Sequence, residues 1–257
     1  MDLELKGKKI LITGGSRGIG ATIAYQFLEE GADIMIVSRG SNDLFNTEKY
    51  LKNKFPNQIV GAEVCDCSES DSLELLKLKI EQLWGKLDIV IANVGDGRSV
   101  SDPLPPNDQW TKTWTNNFET ALQTSQTFLP LLQKSKGCLL FISSIAGLEA
   151  FGAPVDYSTA KTAVVALAKN MARKLAKEVR VNVIAPGNVI FDGSSWDEKI
   201  KKNPEHVKKI IETTVPMKRF GSPKEIADAA TFLCSERAKF ITGSVLVVDG
   251  GQTVGIF

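Results

Sequence analysis

The sequence holds a single histidine, His206, and only four cysteines, Cys65, Cys67, Cys138 and Cys234. With one histidine, a Ser-His-Asp hydrolase has only His206 to recruit. That residue lies in a lysine-rich helical stretch, where an exposed position is expected. Cys65 and Cys67 form a C-x-C whose side chains a strand would point the same way. No second Cys or His pair completes a tetrahedral set, so no metal is expected. Cys138 sits in the apolar run CLLFI and reads as a reduced, buried thiol. No apolar run approaches the roughly 20 residues of a membrane span, and no basic start leads into an apolar leader. A cytoplasmic protein with no membrane partner is therefore expected. Charge of one sign is missing too: the formal net charge is +1, which gives no reason to expect nucleic acid. No linker rich in Pro, Gly or Ser divides the 257 residues, and no repeat is evident, so residues 1–257 are expected to form one domain.

What is present is an alternation of short apolar runs and amphipathic stretches. Strands are expected at 8–13, 33–38, 59–64, 87–92, 137–143, 180–185 and 245–248. Helices are expected from the glycine-rich turn to Gly31, over 73–83, from about Asp108 to Leu132, from Tyr157 onward, after Pro204 and from Pro223 to Cys234. The strands are too apolar for a solvated face, so the pattern predicts an α/β fold: a single Rossmann-type, doubly wound parallel sheet of about seven strands. Residues 188–222 exceed an ordinary βα loop and predict a helical, substrate-covering insertion.

The first strand runs into TGGSRGIG, residues 13–20. Gly14, Gly18 and Gly20 allow a tight strand-to-helix turn, with backbone close to a pyrophosphate and a helix N-terminus facing its charge. Gly14, Ser16, Arg17, Gly18, Ile19 and Gly20 are the candidate phosphate-facing residues. The second strand ends in Ser38-Arg39, where a carboxylate would favour NAD. Arg39 and Arg17 instead suit a 2′-phosphate, so NADP(H) is the expected cofactor and NAD(H) the alternative. Tyr157 and Lys161 lie four apart, one helical turn, and so share a face. A lysine ammonium there favours phenolate and lowers the tyrosine pKa, making the phenol a proton donor or acceptor near neutral pH.

The glycine turn, Ala92-Asn93-Val94-Gly95, Asn117, Ser144, Tyr157…Lys161 and Pro186-Gly187 stand in an order and spacing that resemble the short-chain dehydrogenase/reductase family over nearly the whole chain. The tail, Ile241-Thr242-Gly243 with Val248-Asp249-Gly250-Gly251, is similar to that of its 3-oxoacyl-carrier-protein reductases. The family's helix asparagine falls on Asn117, seven after Trp110, with Asn116 the alternative. Its serine falls on Ser144, thirteen before the tyrosine, rather than on Ser143.

The resemblance implies an NAD(P)-dependent enzyme that moves hydride between nicotinamide and a ketone or secondary alcohol. It makes Tyr157 the general acid/base, Lys161 its partner and a ribose ligand, Ser144 the holder of the substrate oxygen, and Asn117 the holder of a relay water. It implies that Asp66 receives the adenine amino group, that Asn93 and Gly95 border the adenosine ribose, and that Pro186, Gly187 and Val189 border the nicotinamide. Where many relatives carry a carboxamide-binding threonine this chain has Phe191, which shifts that task to backbone near Val189, to Asp192 or to Ser194. The tail favours a 3-oxoacyl thioester. The Gly-Asn-Val-Ile-Phe-Asp lid resembles a branch acting on sugar or cell-surface glycan precursors. Trp196 in the lid either stacks on a substrate ring or packs the lid closed. A non-catalytic dinucleotide-binding regulator is the reading from another class, and its mark would be loss of Ser144, Tyr157 or Lys161. Family habit also implies a homotetramer or homodimer.

Overall fold

The computed structural model describes residues 2–256. Seven strands, β1 (Lys9–Thr13), β2 (Asp33–Ser38), β3 (Val60–Val64), β4 (Ile89–Ala92), β5 (Cys138–Ile142), β6 (Arg180–Pro186) and β7 (Val245–Val248), form one sheet. All its pairings are parallel, in the order β3-β2-β1-β4-β5-β6-β7. Successive strand residues point to opposite faces, and here both faces are buried. On β1, Ile10 and Ile12 pack with Ile23, Phe27 and Leu28 of α1 (Gly18–Glu29) and Ile226 of α9 (Pro223–Cys234). Leu11 faces the other layer, which holds Leu76 of α3 (Ser70–Trp84), Phe128 of α5 (Thr120–Ser135) and Val164 of α6 (Val155–Leu175). Helices on both faces explain why the strands read as nearly continuous apolar runs. The fold is Rossmann-like.

β1 is flanked by β2 and β4, so the chain winds away from it in both directions. That switch point places a crevice outside the carboxyl ends of β1 and β4, where this architecture binds ligands.

Three elements differ from expectation. Helix α2 (Ser41–Lys54) has no counterpart in the sequence pattern, because it buries only Leu44 and Leu51, two positions two turns apart. The long helix expected from Asp108 to Leu132 is broken. α4 (Asn107–Trp114) passes through a π turn at Thr115–Glu119 before α5, and the Thr120 N–H donates to the Thr115 carbonyl five residues back. Inside that turn Asn117 Nδ2 donates to the Thr113 carbonyl at 3.0 Å, a side chain competing with the backbone for an acceptor. Finally, residues 188–222 carry two helices rather than the one expected after Pro204: α7 (Ser195–Lys202) and α8 (Pro204–Thr214). Ser194 caps α7 by accepting the Asp197 N–H. The excursion is pinned at its base by a parallel bridge, with Ile190 N–H to Gly221 O at 3.0 Å and Gly221 N–H to Asn188 O at 2.9 Å. Among the described residues no helix is long and apolar enough to cross a membrane, and no group of three or more His, Cys, Asp or Glu is placed to hold a metal. His206 lies exposed on α8.

Candidate active site

A cleft of about 940 Å³ follows the carboxyl ends of the strands. Ser144, Tyr157 and Lys161 share one of its walls. Their relative placement is set by seams between the turn after β5 and helix α6. Ser143 Oγ donates to the Lys161 carbonyl at 2.9 Å, and Thr162 Oγ1 donates to the Gly147 carbonyl at 3.0 Å. Gly147 permits the contact: a Cβ there would sit 2.7 Å from the Lys161 carbonyl carbon. Ser143 is thus a seam residue, while Ser144 Oγ accepts the Ala146 N–H and is turned toward the cleft wall that it shares with Tyr157.

The electrostatics of the pair differ from expectation. Burial raises the Tyr157 pKa, and the Ser144 hydrogen bond offsets this only in part. Lys161, 3% exposed, is itself pushed down to about 8 by burial. Its ammonium lies 5.9 Å from the Tyr157 ring centroid and donates to the Ile142 carbonyl at 3.1 Å. Desolvation dominates at the Tyr157 phenol, which therefore stays protonated at neutral pH.

Asn117 is 1% exposed, and its carboxamide is fully engaged. Nδ2 donates to Thr113 O and Asp96 O, both at 3.0 Å, and Oδ1 accepts the Asp96 N–H at 3.0 Å. It therefore fixes the loop after β4 against the π turn. A Cβ on Gly95 would lie 2.7 Å from Lys161 Nζ and 3.0 Å from Asn117 Oδ1, so a glycine there lets lysine, asparagine and strand end converge. Asn93 likewise ties strand ends together. Its Nδ2 donates to Thr13 O and Gly14 O at 3.0 and 3.1 Å, and its N–H donates to Thr13 Oγ1. The amide is spent on the glycine turn instead of facing outward.

At the other end of the cleft, Gly14 and Gly18 have φ near +65° and +55°, and a Cβ on Gly20 would stand 2.2 Å from the Gly14 carbonyl oxygen. The turn therefore requires glycine and opens α1 with bare backbone. Arg39 is 63% exposed at the end of β2, 4.0 Å from Asp66. Burial works against the Asp66 charge, but bonds from Ser68 and the nearby Arg39 outweigh it and hold that carboxyl below its usual value. Cys65 and Cys67 line the same end, and their mutual hydrogen bond brings the Cys65 thiol to about 7 against burial. Arg17 and Arg39, the pair expected to clamp a 2′-phosphate, both line the cleft. Arg17 Nη1 lies 3.2 Å from where a Gly193 Cβ would be, drawn toward the lid that carries Glu198.

Phe191 crosses from the lid to lie on the glycine turn, since a Cβ on Gly18 would meet its ring at 2.5 Å. Ser194 Oγ, one of the carboxamide candidates, is committed to the Asp197 and Phe191 N–H groups. Trp196 both lines the cleft and packs the lid, with Phe220 at 5.5 Å and the Lys199 ammonium 4.4 Å above its ring.

Two groups carried no signal in the sequence. Asp156, buried beside Tyr157, accepts from Ser99 Oγ at 2.5 Å and from the Tyr157 N–H at 2.8 Å. Burial opposes its charge, but bonds from Ser99, Thr113, the Tyr157 amide and Gln109 hold its pKa low. Its adjacency to Tyr157 was the only available hint. Arg98 reaches across the cleft mouth to Glu198 on α7, with Nη2 at 2.7 Å and Nε at 3.3 Å, and also donates to the Gly193 carbonyl.

The family described as enoyl-(acyl carrier protein) reductase matches residues 14–253. With the fold, this shows that the chain belongs to the short-chain dehydrogenase/reductase family, oxidoreductases acting on CH–OH and C=O groups. It is 35% identical to a tropinone reductase homolog of Arabidopsis thaliana, over 99% of this chain and 94% of that one. It is 30% identical to a 3-oxoacyl-acyl-carrier-protein reductase of Mycobacterium tuberculosis, over 96% of this chain and 94% of that one. Among solved structures, L-sorbose reductase from Gluconobacter frateurii, complexed with NADPH and L-sorbose, superposes with a TM-score of 0.93 at 29% identity, covering 100% of both chains.

Proposed function

We propose that this protein is an NADP(H)-dependent reductase of a small ketone, with Tyr157 as the proton donor. The observation that carries the reading is the seam that sets Ser144, Tyr157 and Lys161 together on one wall of the cleft, with Arg39 and no β2 carboxylate at its far end. The glycine cradle fits a dinucleotide: its backbone is bare where a Cβ would clash, and it opens the N-terminus of α1. Gly14, Ser16, Arg17, Gly18, Ile19 and Gly20 would hold the pyrophosphate side. Arg39 would hold a 2′-phosphate, with Asp66 and Gly95 along the adenosine. Asn93 supports the cradle from behind. Pro186, Gly187 and the Val189 backbone would border the nicotinamide, since Ser194 is occupied. When bound, the cofactor supplies a hydride to the carbonyl carbon.

Ser144 donates to the substrate oxygen and orients it, and Tyr157, kept as a phenol by burial, delivers the proton. Lys161 lies behind Tyr157 with Asn117 and Gly95 at hand, a group able to return that proton. The lid helices α7 and α8 would cover the substrate. The mycobacterial relative supports a 3-oxoacyl thioester, and the sorbose reductase supports a sugar ketone. Retention and assembly of the three catalytic side chains speak against a non-catalytic regulator. A cytoplasmic homotetramer or homodimer joined through α5 and α6 accords with family habit, and sedimentation tests it.

The test is Tyr157→Phe. NADPH still quenches tryptophan fluorescence with an unchanged Kd, while ketone reduction falls by about 10²–10⁴-fold. Turnover within tenfold of wild type would sink the assignment.

A further inference from the structure

The segment after β7 is fastened at both ends across the cleft. The Asp249 carboxylate accepts the Gly251 N–H at 2.8 Å and the Thr253 N–H at 2.6 Å. The Glu149 carboxylate, two residues beyond the 3₁₀ turn that follows Ser144, accepts the Val254 N–H at 3.1 Å and the Gly255 N–H at 2.5 Å. At its start the segment lies against the residue that follows β6, since a Cβ on Gly187 would stand 2.7 Å from Asp249 Cα. Gly250 and Gly251 pack on Val215, Pro216 and Met217 where the lid returns from α8. Residues 249–255 therefore run from the lid to the Ser144 turn, over the carbonyl end of the site.

Gln252 is the midpoint of this span. It is 7% exposed, lines the same cleft as Ser144 and Tyr157, and its Oε1 is enclosed with no hydrogen-bond partner among the described residues. Its neighbours show the opposite arrangement, with Val254 83% and Ile256 88% exposed. Hydrophobic burial alone would turn the valine inward and the glutamine outward. An enclosed amide oxygen without a partner is unfavourable for folding, so the inward glutamine answers to something other than stability. The terminal amide torsion is broad, so a half-turn presents either end of the carboxamide to the cleft.

We propose that Gln252 sets substrate specificity by hydrogen-bonding, through its cleft-lining carboxamide, a hydroxyl that the substrate carries beyond its reacting carbonyl. The preferred substrate is then a hydroxyketone or polyhydroxyketone rather than an unsubstituted ketone. This rests on the reductase reading. A site built to bond a hydroxyl rejects the analogue lacking it, because its own polar group is left unpaired.

The test uses the full chain with NADPH and three ketones of one carbon skeleton: 2-butanone, 1-hydroxy-2-butanone and 1,3,4-trihydroxy-2-butanone, with an acetoacetyl thioester alongside. The wild-type kcat/KM rises at least tenfold from the plain to the hydroxylated ketones. In Gln252→Met, which keeps the side-chain length and removes both polar atoms, that ratio collapses at least tenfold, chiefly through KM. Quenching by NADPH confirms that each variant is folded. Gln252→Ala serves if the methionine variant is not folded, and the wild-type preference decides alone if neither is. Wild-type preference for 2-butanone or the thioester, or an unchanged ratio in the variant, overturns the Gln252 assignment and leaves the reductase reading standing. No wild-type turnover of any of the four overturns both.

Discussion

Lys161 carries its charge in nearly complete burial, and the cost shows in a pKa brought from 10.5 to about 8. Below about pH 8 folded and unfolded chains alike are protonated at this group. Between about 8 and 10.5 the unfolded chain binds the proton and the folded chain does not, so this group's contribution makes stability rise with pH across that window. The difference in urea unfolding free energy between wild type and Lys161→Met should move in favour of wild type by on the order of 1–3 kcal/mol from pH 8 to 10. A flat difference would mean that the ammonium is solvated. Tyr157 moves the opposite way, since burial raises it, and reduction, which needs the phenol, is the direction favoured on the acid side. The identity of these side chains was legible from spacing alone, but their pKa values were not. An i, i+4 pair reports proximity, and only the packed structure reports how far burial desolvates each of the two groups. Asn93 and Asn117 show the same limit: the pattern located them, while their carboxamides turn out to be tied to backbone.

The elements legible in the sequence were those with a wide apolar stripe or a buried strand run. α2 escaped because two leucines suffice to seat it, and the π turn escaped because a one-residue slip barely disturbs helical periodicity. α7 buries no residue fully and so left no apolar signature, although it carries the charge that closes the cleft. Arg98 meets Glu198 with two nitrogens, an arrangement that holds the guanidinium firmly charged. Both partners are half-exposed, so the latch is worth little to global stability. Its effect belongs to the lid. In Arg98→Ala, KM for the ketone should rise roughly two- to fivefold, and raising salt should erase the difference between variant and wild type. A lower kcat with unchanged KM would place Arg98 in the chemistry rather than on the lid.

At the scale of the whole molecule, the cleft lies at the β1–β4 switch point, so a bound dinucleotide adds a bridge between the two halves of the sheet to the strand pairing and the α1–α9 packing that already join them. A ligand that binds only the folded state stabilises it by about 2.7 kcal/mol at a hundredfold excess over Kd. For a chain of this size that corresponds to a rise in Tm of roughly 5–10 °C. NADPH and NADH share every contact except the 2′-phosphate, and the cation that directly follows β2 is Arg39, with Asp66 at 4.0 Å competing for it. At equal concentrations NADPH should therefore raise Tm more than NADH. In Arg39→Asp the order should reverse, with the NADPH Kd weakened about tenfold, a loss limited by the exposure of the guanidinium. Salt should shrink the NADPH advantage in wild type and leave the NADH shift nearly untouched. Equal shifts with the two cofactors in wild type would remove Arg39 from the reading and return the choice of cofactor to Arg17 and the lid.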